Sequence, residues 1–323
     1  MTDAPAQPLL APFEGRAPEC PAWFLAALAH TPQRGSHEVR GTAIETLSWG
    51  DAGRPGLLLM HGKMAHADWW SFIAPFFAAT HRVVALSFAG MGGSGWREAY
   101  SVDTMAEEAM AVARECGLFD NPQKPVFVGH SFGGFAGLAC AESCGAELGG
   151  VAIVDTPLLS REQRARRAAE YRGPSIRGQF AQRSTKVYPT LADALARFRF
   201  APPQDSENLF IADHIARTSL KQAPLGDGAP GPGWTWRFDP RVADIHPGNA
   251  ARSLQAAACP IAVLWGGDSE LVTPEVAAYM ATLAAPDAPH IEIPAARHHV
   301  MVDQPLALVT ALRGLLATWP AKP

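Results

Sequence analysis

The stretch GHSFGG, from Gly129 to Gly134, decides the fold because it joins an apolar strand pattern to a helix pattern. Val, Phe and Val at 126–128 precede it, and a run rich in Ala, Gly and Leu follows from Phe135 to Cys144. A G-x-S-x-G turn between strand and helix holds its serine, here Ser131, above the sheet, where a histidine and a substrate can reach it. Glycines flank the serine because side chains there would collide across the turn. The sequence therefore predicts a nucleophile elbow at Ser131.

A second loop supplies the groups that such a nucleophile needs. Pro55 to Met60 reads as a buried strand, and Gly62 and Lys63 follow one residue after its end. A glycine at that point permits a tight loop whose next amide turns inward. We expect the backbone N–H groups of Lys63 and of Phe132, at the helix N-terminus, to bind a developing oxyanion.

The buried strand patterns recur along the chain and alternate with helix patterns. They lie at Arg82 to Phe88, Gly150 to Asp155, Pro260 to Gly267 and His290 to Pro294. This alternation predicts an α/β protein with a mostly parallel, doubly wound sheet. We divide the chain into an N-terminal extension (1–36), a core (37–156 and 250–323) and an inserted helical cap (157–249).

The cap prediction comes from a break in the strand pattern. Residues 157–249 are polar, helical in pattern and interrupted by Pro and Gly, and an insertion at this point lies over the carboxyl ends of the strands. Its arginines either face water or bind a substrate carboxylate. Those arginines are Arg161, Arg164, Arg166, Arg167, Arg172, Arg177 and Arg183. Trp234 and Trp236 either line the pocket or anchor the cap to the core.

A histidine pair follows the last strand pattern, where a general base for Ser131 is expected. We favour His298 over His299, because it lies five residues before Asp303 at the start of the last helix. No carboxylate or cysteine stands at ligand spacing from this pair, so we predict no metal site. The five cysteines are scattered and are expected to be reduced thiols.

The acid that orients this base stays open on the residues alone. Asp155 ends one strand pattern, whereas Asp268 and Glu270 follow another, and either position can face the histidine.

Four motifs in order resemble the α/β-hydrolase superfamily, in particular its capped esterase-like members. The motifs are LLLMHGK (57–63), GHSFGG (129–134), LWGGDSELVTPE (264–275) and RHHVMVDQP (297–305). The resemblance spans about residues 37 to 319 and implies the α/β-hydrolase fold. Most members carry the acid in a W-G-x-x-D pattern, but Ser269 stands at that place here. Some family esterases with serine there take the acid from the earlier strand end, which implies Asp155, with Ser269 as a neighbour of His298.

The composition of the chain argues against nucleic acid and membranes as partners. The chain is 48% hydrophobic and 18% charged with a net charge of −4, so no basic surface for nucleic acid is expected. No signal-like N-terminus and no run of about twenty apolar residues occurs, which predicts a cytoplasmic protein without a membrane partner. The oligomeric state, a homodimer included, stays open.

The expected activity is hydrolysis of a carboxylic ester of small or medium size without a cofactor. The ester would bear a free carboxylate if a cap arginine faces the pocket. A C–C hydrolase of ring-cleavage products is an alternative that uses the same residues, but its relatives carry Asn before the nucleophile, whereas His130 stands here. The same groups could also hydrolyse an amide or a lactone. A ligand-binding protein with vestigial catalysis is the non-enzyme hypothesis.

Overall fold

The computed structural model describes residues 8–170, 185–225 and 231–319. Its strands are β1 (Gln33–Val39), β2 (Thr42–Trp49), β3 (Gly56–Met60), β4 (Arg82–Leu86), β5 (Val126–His130), β6 (Gly150–Val154), β7 (Leu220–Pro224), β8 (Pro232–Trp236), β9 (Ile261–Gly266) and β10 (His290–Ile293). Its α-helices are α1 (Ala22–Ala29), α2 (Val102–Glu115), α3 (Phe132–Cys144), α4 (Arg161–Glu170), α5 (Leu191–Leu195), α6 (Leu209–Thr218), α7 (Ala250–Gln255), α8 (Pro274–Leu283), α9 (Val300–Asp303) and α10 (Pro305–Thr318).

Eight strands form one twisted sheet in the order β1-β2-β4-β3-β5-β6-β9-β10. The β1–β2 and β2–β4 pairs are antiparallel, and every other pair in this sheet is parallel. Parallel neighbours need crossover connections, which place helices on both faces of the sheet. The predicted mostly parallel, doubly wound architecture is confirmed.

Both faces of the central strands are buried, and successive side chains enter opposite cores. Strand β3 is buried along its whole length. Leu57 and Leu59 pack in one apolar cluster, whereas Leu58 and Met60 pack in the other, as the two-residue period of a strand requires. This explains why the central strands read as continuous apolar runs rather than as alternating ones.

The segment between β6 and β9 is not purely helical. It contains α4, α5 and α6, but β7 and β8 form an antiparallel hairpin that pairs Leu220 with Trp236. The helical expectation for 157–249 was therefore wrong at this hairpin. Alternating burial along β8 and its Trp-Thr-Trp sequence favour a strand, and this two-residue period is the signal that separates the hairpin from the helices around it. Arg172, Arg177 and Arg183 lie outside the described residues.

The connection between β3 and β4 contains short 3-10 helices. A 3-10 helix, Ala67–Trp70, follows β3 and is entirely buried, and a second 3-10 turn precedes β4. At the N-terminus, α1 carries Phe24, which packs against Phe72 and Phe210. In the described part of the chain, every helix is too short or too polar to cross a bilayer.

Candidate active site

The loops that carry the predicted site residues leave the same edge of the sheet. Ser131 follows β5 directly and Asp155 follows β6, and these two strands are parallel neighbours. Strand β9 pairs with β6 on one side and with β10 on the other, and His298 lies in the loop after β10. The carboxyl ends of parallel strands meet at one edge, so residues far apart in sequence converge there.

The turn at Ser131 has the strained backbone of a nucleophile elbow. Its φ is 52° and its ψ is −114°, a conformation that costs a non-glycine residue about 1–3 kcal/mol. Close packing fixes the glycines around it. A Cβ at Gly129 would clash with the carbonyl of Gly133, and one at Gly133 would lie 2.6 Å from the carbonyl oxygen of His61. The helix therefore begins against the strand ends, and Ser131 stands half-exposed at the edge of the sheet.

Asp155 is fully buried and accepts three hydrogen bonds. Its Oδ1 accepts from His298 Nδ1 at 2.8 Å and from Ser269 Oγ at 2.8 Å, while Oδ2 accepts from the amide of Gly266 at 2.9 Å. These donors compensate for burying the carboxylate. A proton held on Nδ1 leaves Nε2 of His298 free to act as a base.

The other two candidate acids lie elsewhere. Asp268 and Glu270 are exposed, and the hydrogen bond of the His298 ring goes to Asp155. Ser269, between them, is buried and turns its hydroxyl toward Asp155. Among the three carboxylates weighed from the sequence, the structure brings Asp155 to His298.

His130 supports the loop that carries the base. Its Nε2 donates to the backbone carbonyl of His298 at 3.0 Å, and the two ring centroids lie 4.9 Å apart. Burial, with the nearby His298, lowers the pKa of His130 to about 3. His130 is therefore neutral, and it holds the His298 backbone without adding a charge beside the base.

The loop after β3 has its amides oriented by a buried histidine. His61 Nε2 accepts from the amide of Phe88 at 3.0 Å, so Nδ1 carries the hydrogen and donates to the carbonyl of Gly62 at 2.6 Å. Burial lowers the pKa of His61 to about 3, which keeps the ring neutral. Because the Gly62–Lys63 peptide is planar and trans, holding its carbonyl on one side turns the N–H of Lys63 to the other.

The two amides expected to bind an oxyanion have no competing acceptor. Within residues 8–170, 185–225 and 231–319, the N–H groups of Lys63 and Phe132 donate no hydrogen bond. Gly62 brings the two loops together, since a Cβ there would lie 3.2 Å from Cβ of Ser131. The loop after β3 therefore touches the elbow.

The side chain of Lys63 reaches away from this site and contacts the segment inserted between β6 and β9. Its ammonium donates to the carbonyls of Ala243 at 3.0 Å and Ile245 at 2.8 Å, and it lies 4.4 Å from the ring centroid of Phe132. Burial lowers the pKa of Lys63 to about 8, against a smaller opposing effect of Asp244. The residue thus joins the oxyanion loop to the segment that follows β8.

Three imidazoles meet near the carboxyl ends of the parallel strands. A ring nitrogen from each of His130, His298 and His299 lies within 4.8 Å of the others, and both ring nitrogens of His299 lack hydrogen-bond partners among the described residues. The ring of His299 instead packs against Trp69 and Phe200. Neutral imidazoles bind transition metals. These three residues are the group that could hold a metal ion in the described part of the chain, and an ion bound through His298 would compete with the predicted role of His298 as a base.

A cavity of about 390 Å³ lies between the loop after β3 and the segment inserted between β6 and β9, and its wall is largely aromatic. Its lining residues are Lys63, Met64, Trp69, Arg197, Phe198, Arg199, Phe200, Ala201, Ser219, Trp236 and Phe238. Three larger concave surfaces, of about 860, 760 and 560 Å³, have none of the predicted site residues in their linings. The 390 Å³ cavity is lined by Lys63 and Met64, which follow Gly62 in the loop that touches Ser131.

Of the four predicted substrate-binding residues, one lines this cavity and three do not. Trp236 lines it, whereas Trp234 pairs with Tyr188 through a backbone bridge. Arg161 and Arg164 are exposed on α4 and do not line it. Of the two alternatives for these arginines, the exposed positions of Arg161 and Arg164 agree with the one in which they face water.

The arginines that do line the cavity, Arg197 and Arg199, were missed by the sequence analysis. Phe198 and Phe200 alternate with them in the run RFRF, and both phenylalanines are buried. This alternation was the available signal, because it places two aromatic side chains inward and two cations at the rim.

The chain belongs to the alpha/beta hydrolase family, whose model matches residues 57–312. The esterase Rv0045c of Mycobacterium tuberculosis is 26% identical over 282 residues, which cover 87% of this chain and 88% of that protein.

Solved structures show the same fold. The thioesterase domain from the curacin biosynthetic pathway superposes with a TM-score of 0.70 at 22% identity, covering 87% of this chain and 99% of that one. E-2-(acetamidomethylene)succinate hydrolase superposes with a TM-score of 0.68 at 17% identity, covering 88% and 100%.

Proposed function

We propose that this protein hydrolyses carboxylic esters through an acyl-enzyme formed on Ser131. The observation that carries the proposal is the 2.8 Å hydrogen bond from His298 to the buried Asp155, at the sheet edge where Ser131 takes its strained turn. A serine, a histidine and an acid in these roles form a nucleophilic triad. The similarity to an esterase over 87% of the chain agrees with this chemistry.

The reaction follows from the groups present. Ser131 Oγ attacks the acyl carbon while His298 Nε2 takes its proton, and Asp155 stabilises the imidazolium that forms. The amides of Lys63 and Phe132 bind the carbonyl oxygen as it becomes negative. His298 then protonates the leaving alcohol, and the same base activates a water molecule that releases the acid.

The cavity suggests the size and character of the substrate. About 390 Å³ of mostly aromatic surface fits a small or medium apolar group. Arg197 is exposed and Arg199 is half-buried at its rim, and guanidinium groups bind carboxylates in a bidentate manner. The proposed substrate is therefore an apolar ester with a free carboxylate at its far end.

The nucleophile is tested with Ser131→Ala, using Ser143→Ala as the matched control because Ser143 is exposed near the other end of the same helix. Each variant is assayed on p-nitrophenyl esters from acetate to decanoate and is treated with a fluorophosphonate probe. We expect wild type and Ser143→Ala to turn over esters and to be labelled, and Ser131→Ala to do neither. Equal turnover by Ser131→Ala would overturn the proposal.

The carboxylate preference has its own test. A monoester of a diacid and its neutral diester are compared in wild type, Arg199→Met and Arg164→Met, the last being a control on the exposed face of α4. We expect the monoester to be preferred by wild type and by Arg164→Met, with the preference reduced about tenfold in Arg199→Met. Equal rates on the two esters in wild type would contradict the preference.

A further inference from the structure

A second serine, histidine and aspartate lie in line within the described part of the chain, apart from Ser131. Ser219 Oγ is 2.8 Å from His66 Nε2, and His66 Nδ1 is 3.4 Å from Asp68 Oδ2. Asp68 Oδ1 in turn accepts from Arg34 at 2.6 Å. The serine, the histidine and the aspartate are each at least nine-tenths buried. A polar chain therefore runs inward from Ser219 to a buried carboxylate.

The hydrogens of this chain can be assigned from its contacts. His66 Nδ1 and Asp68 Oδ2 lie 3.4 Å apart without an aligned hydrogen bond, and neither atom has a hydrogen-bond partner among the described residues. A proton on Nδ1 would therefore face the Asp68 carboxylate. Nε2 of a neutral His66 ring then accepts the hydroxyl proton of Ser219. If the proton lies on Nε2, Nε2 donates to Ser219 instead, and the hydroxyl donates to the carbonyl of Ile215 at 2.6 Å.

Ser219 has the same hydrogen-bonding capacity toward a ligand in both proton assignments. Its single proton is used within the protein, and its oxygen retains a free lone pair. Ser219 thus presents a hydrogen-bond acceptor rather than a donor. The contacts with His66 and Ile215 also hold the hydroxyl in one place, so a ligand would not have to order it.

Ser219 lines the same 390 Å³ cavity that adjoins the oxyanion loop. The other polar residues of the lining are cations: Lys63 already donates to two carbonyls, and Arg197 and Arg199 stand at the rim. The rest of the wall is Met64, Ala201 and aromatic side chains. Ser219 is therefore a buried acceptor in a lining whose other polar groups are donors, namely the three cations and the indole N–H of Trp69, which has no hydrogen-bond partner among the described residues. A donor on a ligand is favoured at Ser219, whereas an unmatched group there is not.

We propose that Ser219, fixed by His66 and Asp68, is a recognition site for a hydroxyl or N–H group on the part of the substrate that fills this cavity. The proposal rests on the proposed esterase function and adds a substrate class to it, namely hydroxylated or amide-bearing esters. It assigns Ser219 a role in specificity and none in the bond-breaking step.

The test compares matched esters that differ by one hydroxyl. One series has p-nitrophenyl hydroxyalkanoates with the hydroxyl at successive carbons, each paired with the plain alkanoate, and a second has acetates of diols paired with acetates of simple alcohols. The measured quantity is the ratio of kcat/KM within each pair, which cancels differences in folding or active fraction. We expect wild type to prefer the hydroxylated partner in at least one series, and Ser219→Ala to reduce that preference about tenfold.

Ser71→Ala is the control for disturbing a buried serine next to a histidine. Ser71 Oγ lies 2.8 Å from His214 Nε2 and donates to the backbone of Asp68, but Ser71 does not line the cavity. We expect its ratios to equal those of wild type. Ratios near one in wild type for every pair, or ratios unchanged by Ser219→Ala, would overturn the proposal.

Two further measurements separate this proposal from the proposed function. If wild type hydrolyses no ester, the esterase proposal fails. The recognition site can then still be tested by calorimetry, which measures the binding of hydroxy acids and of plain acids to wild type and to Ser219→Ala. Hydroxyl-dependent binding that requires Ser219 supports the site, and its absence overturns it. Fluorophosphonate labelling of Ser219 in the Ser131→Ala background would reveal a nucleophile and would overturn the recognition role.

Discussion

Asp155→Asn replaces a buried carboxylate by an amide of nearly the same shape, so it changes hydrogen bonding while leaving packing almost intact. In the native protein one oxygen faces His298 and Ser269, and the other faces the amide of Gly266. An amide can put its oxygen in only one of these places. With its NH₂ toward Gly266, two buried donors would face each other, at a cost of about 1–3 kcal/mol. The asparagine NH₂ will therefore face His298.

That orientation inverts the tautomer of the base. An NH₂ group opposite Nδ1 of His298 favours the ring form with its proton on Nε2, where no lone pair remains to accept the proton of Ser131. The same change in a serine triad lowers kcat by about 10⁴, or about 5 kcal/mol of transition-state stabilisation. We expect a loss of this size for Asp155→Asn on p-nitrophenyl butyrate, with a urea midpoint close to that of wild type.

Asp268→Asn and Glu270→Gln are the controls, because both residues are exposed near the same loop. We expect each to retain activity within about twofold of wild type. The reasoning is refuted if Asp155→Asn keeps more than about a tenth of the wild-type kcat, or if Asp268→Asn loses as much as Asp155→Asn.

Three other predictions use the same neighbourhood. Ser269→Ala removes one of three donors to Asp155, and we expect kcat to fall about tenfold with KM unchanged, measured on the butyrate ester. Gly133→Ala places a Cβ 2.6 Å from two backbone oxygens, and we expect the free energy of unfolding in urea to fall by at least about 2 kcal/mol. For Lys63, the folded pKa near 8 lies below the unfolded value of 10.5, so the unfolded chain binds more protons between these values and stability rises with pH there. Lys63→Met should remove that rise from urea midpoints taken across the interval, and an unchanged pH dependence would contradict it.

The sheet and the strand–turn–helix at Ser131 could be predicted because their signals are local. The strand before Ser131, the flanking glycines and the helix after it lie within one continuous stretch, and the structure shows a turn at positive φ there. The buried strands read as apolar runs because both of their faces are covered. Local sequence thus determines the elements and the order in which they follow.

The carboxylate was harder to choose because it depends on how two loops meet. Asp155 and Asp268 each follow a strand end at the same sheet edge, and the residue patterns alone allow both. The three-dimensional contacts differ: Asp155 is fully buried under three donors, whereas Asp268 is exposed. Choosing between them from the residues requires the loop geometry, which no local pattern encodes.

The cavity was the least predictable part. Its lining combines the loop after β3 with residues near α5, α6 and β8 of the inserted segment, and the orientation of such an insertion depends on tertiary packing. Ser219 and His66 are separated by 153 residues, and neither belongs to a recognisable motif. The arginines of α4 were candidates for binding a substrate carboxylate because a sequence shows charge but does not show which way a side chain faces. In the structure, Arg161 and Arg164 are exposed to water.

Lys63 links the position of the inserted segment to the position of the loop after β3. Its backbone amide belongs to the loop beside Ser131, and its ammonium is bonded to residues 243 and 245 across the cavity. Drawing that segment away leaves a half-buried ammonium without two of its acceptors, and the loop carrying the amide loses its outer attachment. We therefore expect any displacement of that segment to loosen the Lys63 amide as well, so that opening the cavity and aligning this amide would oppose each other.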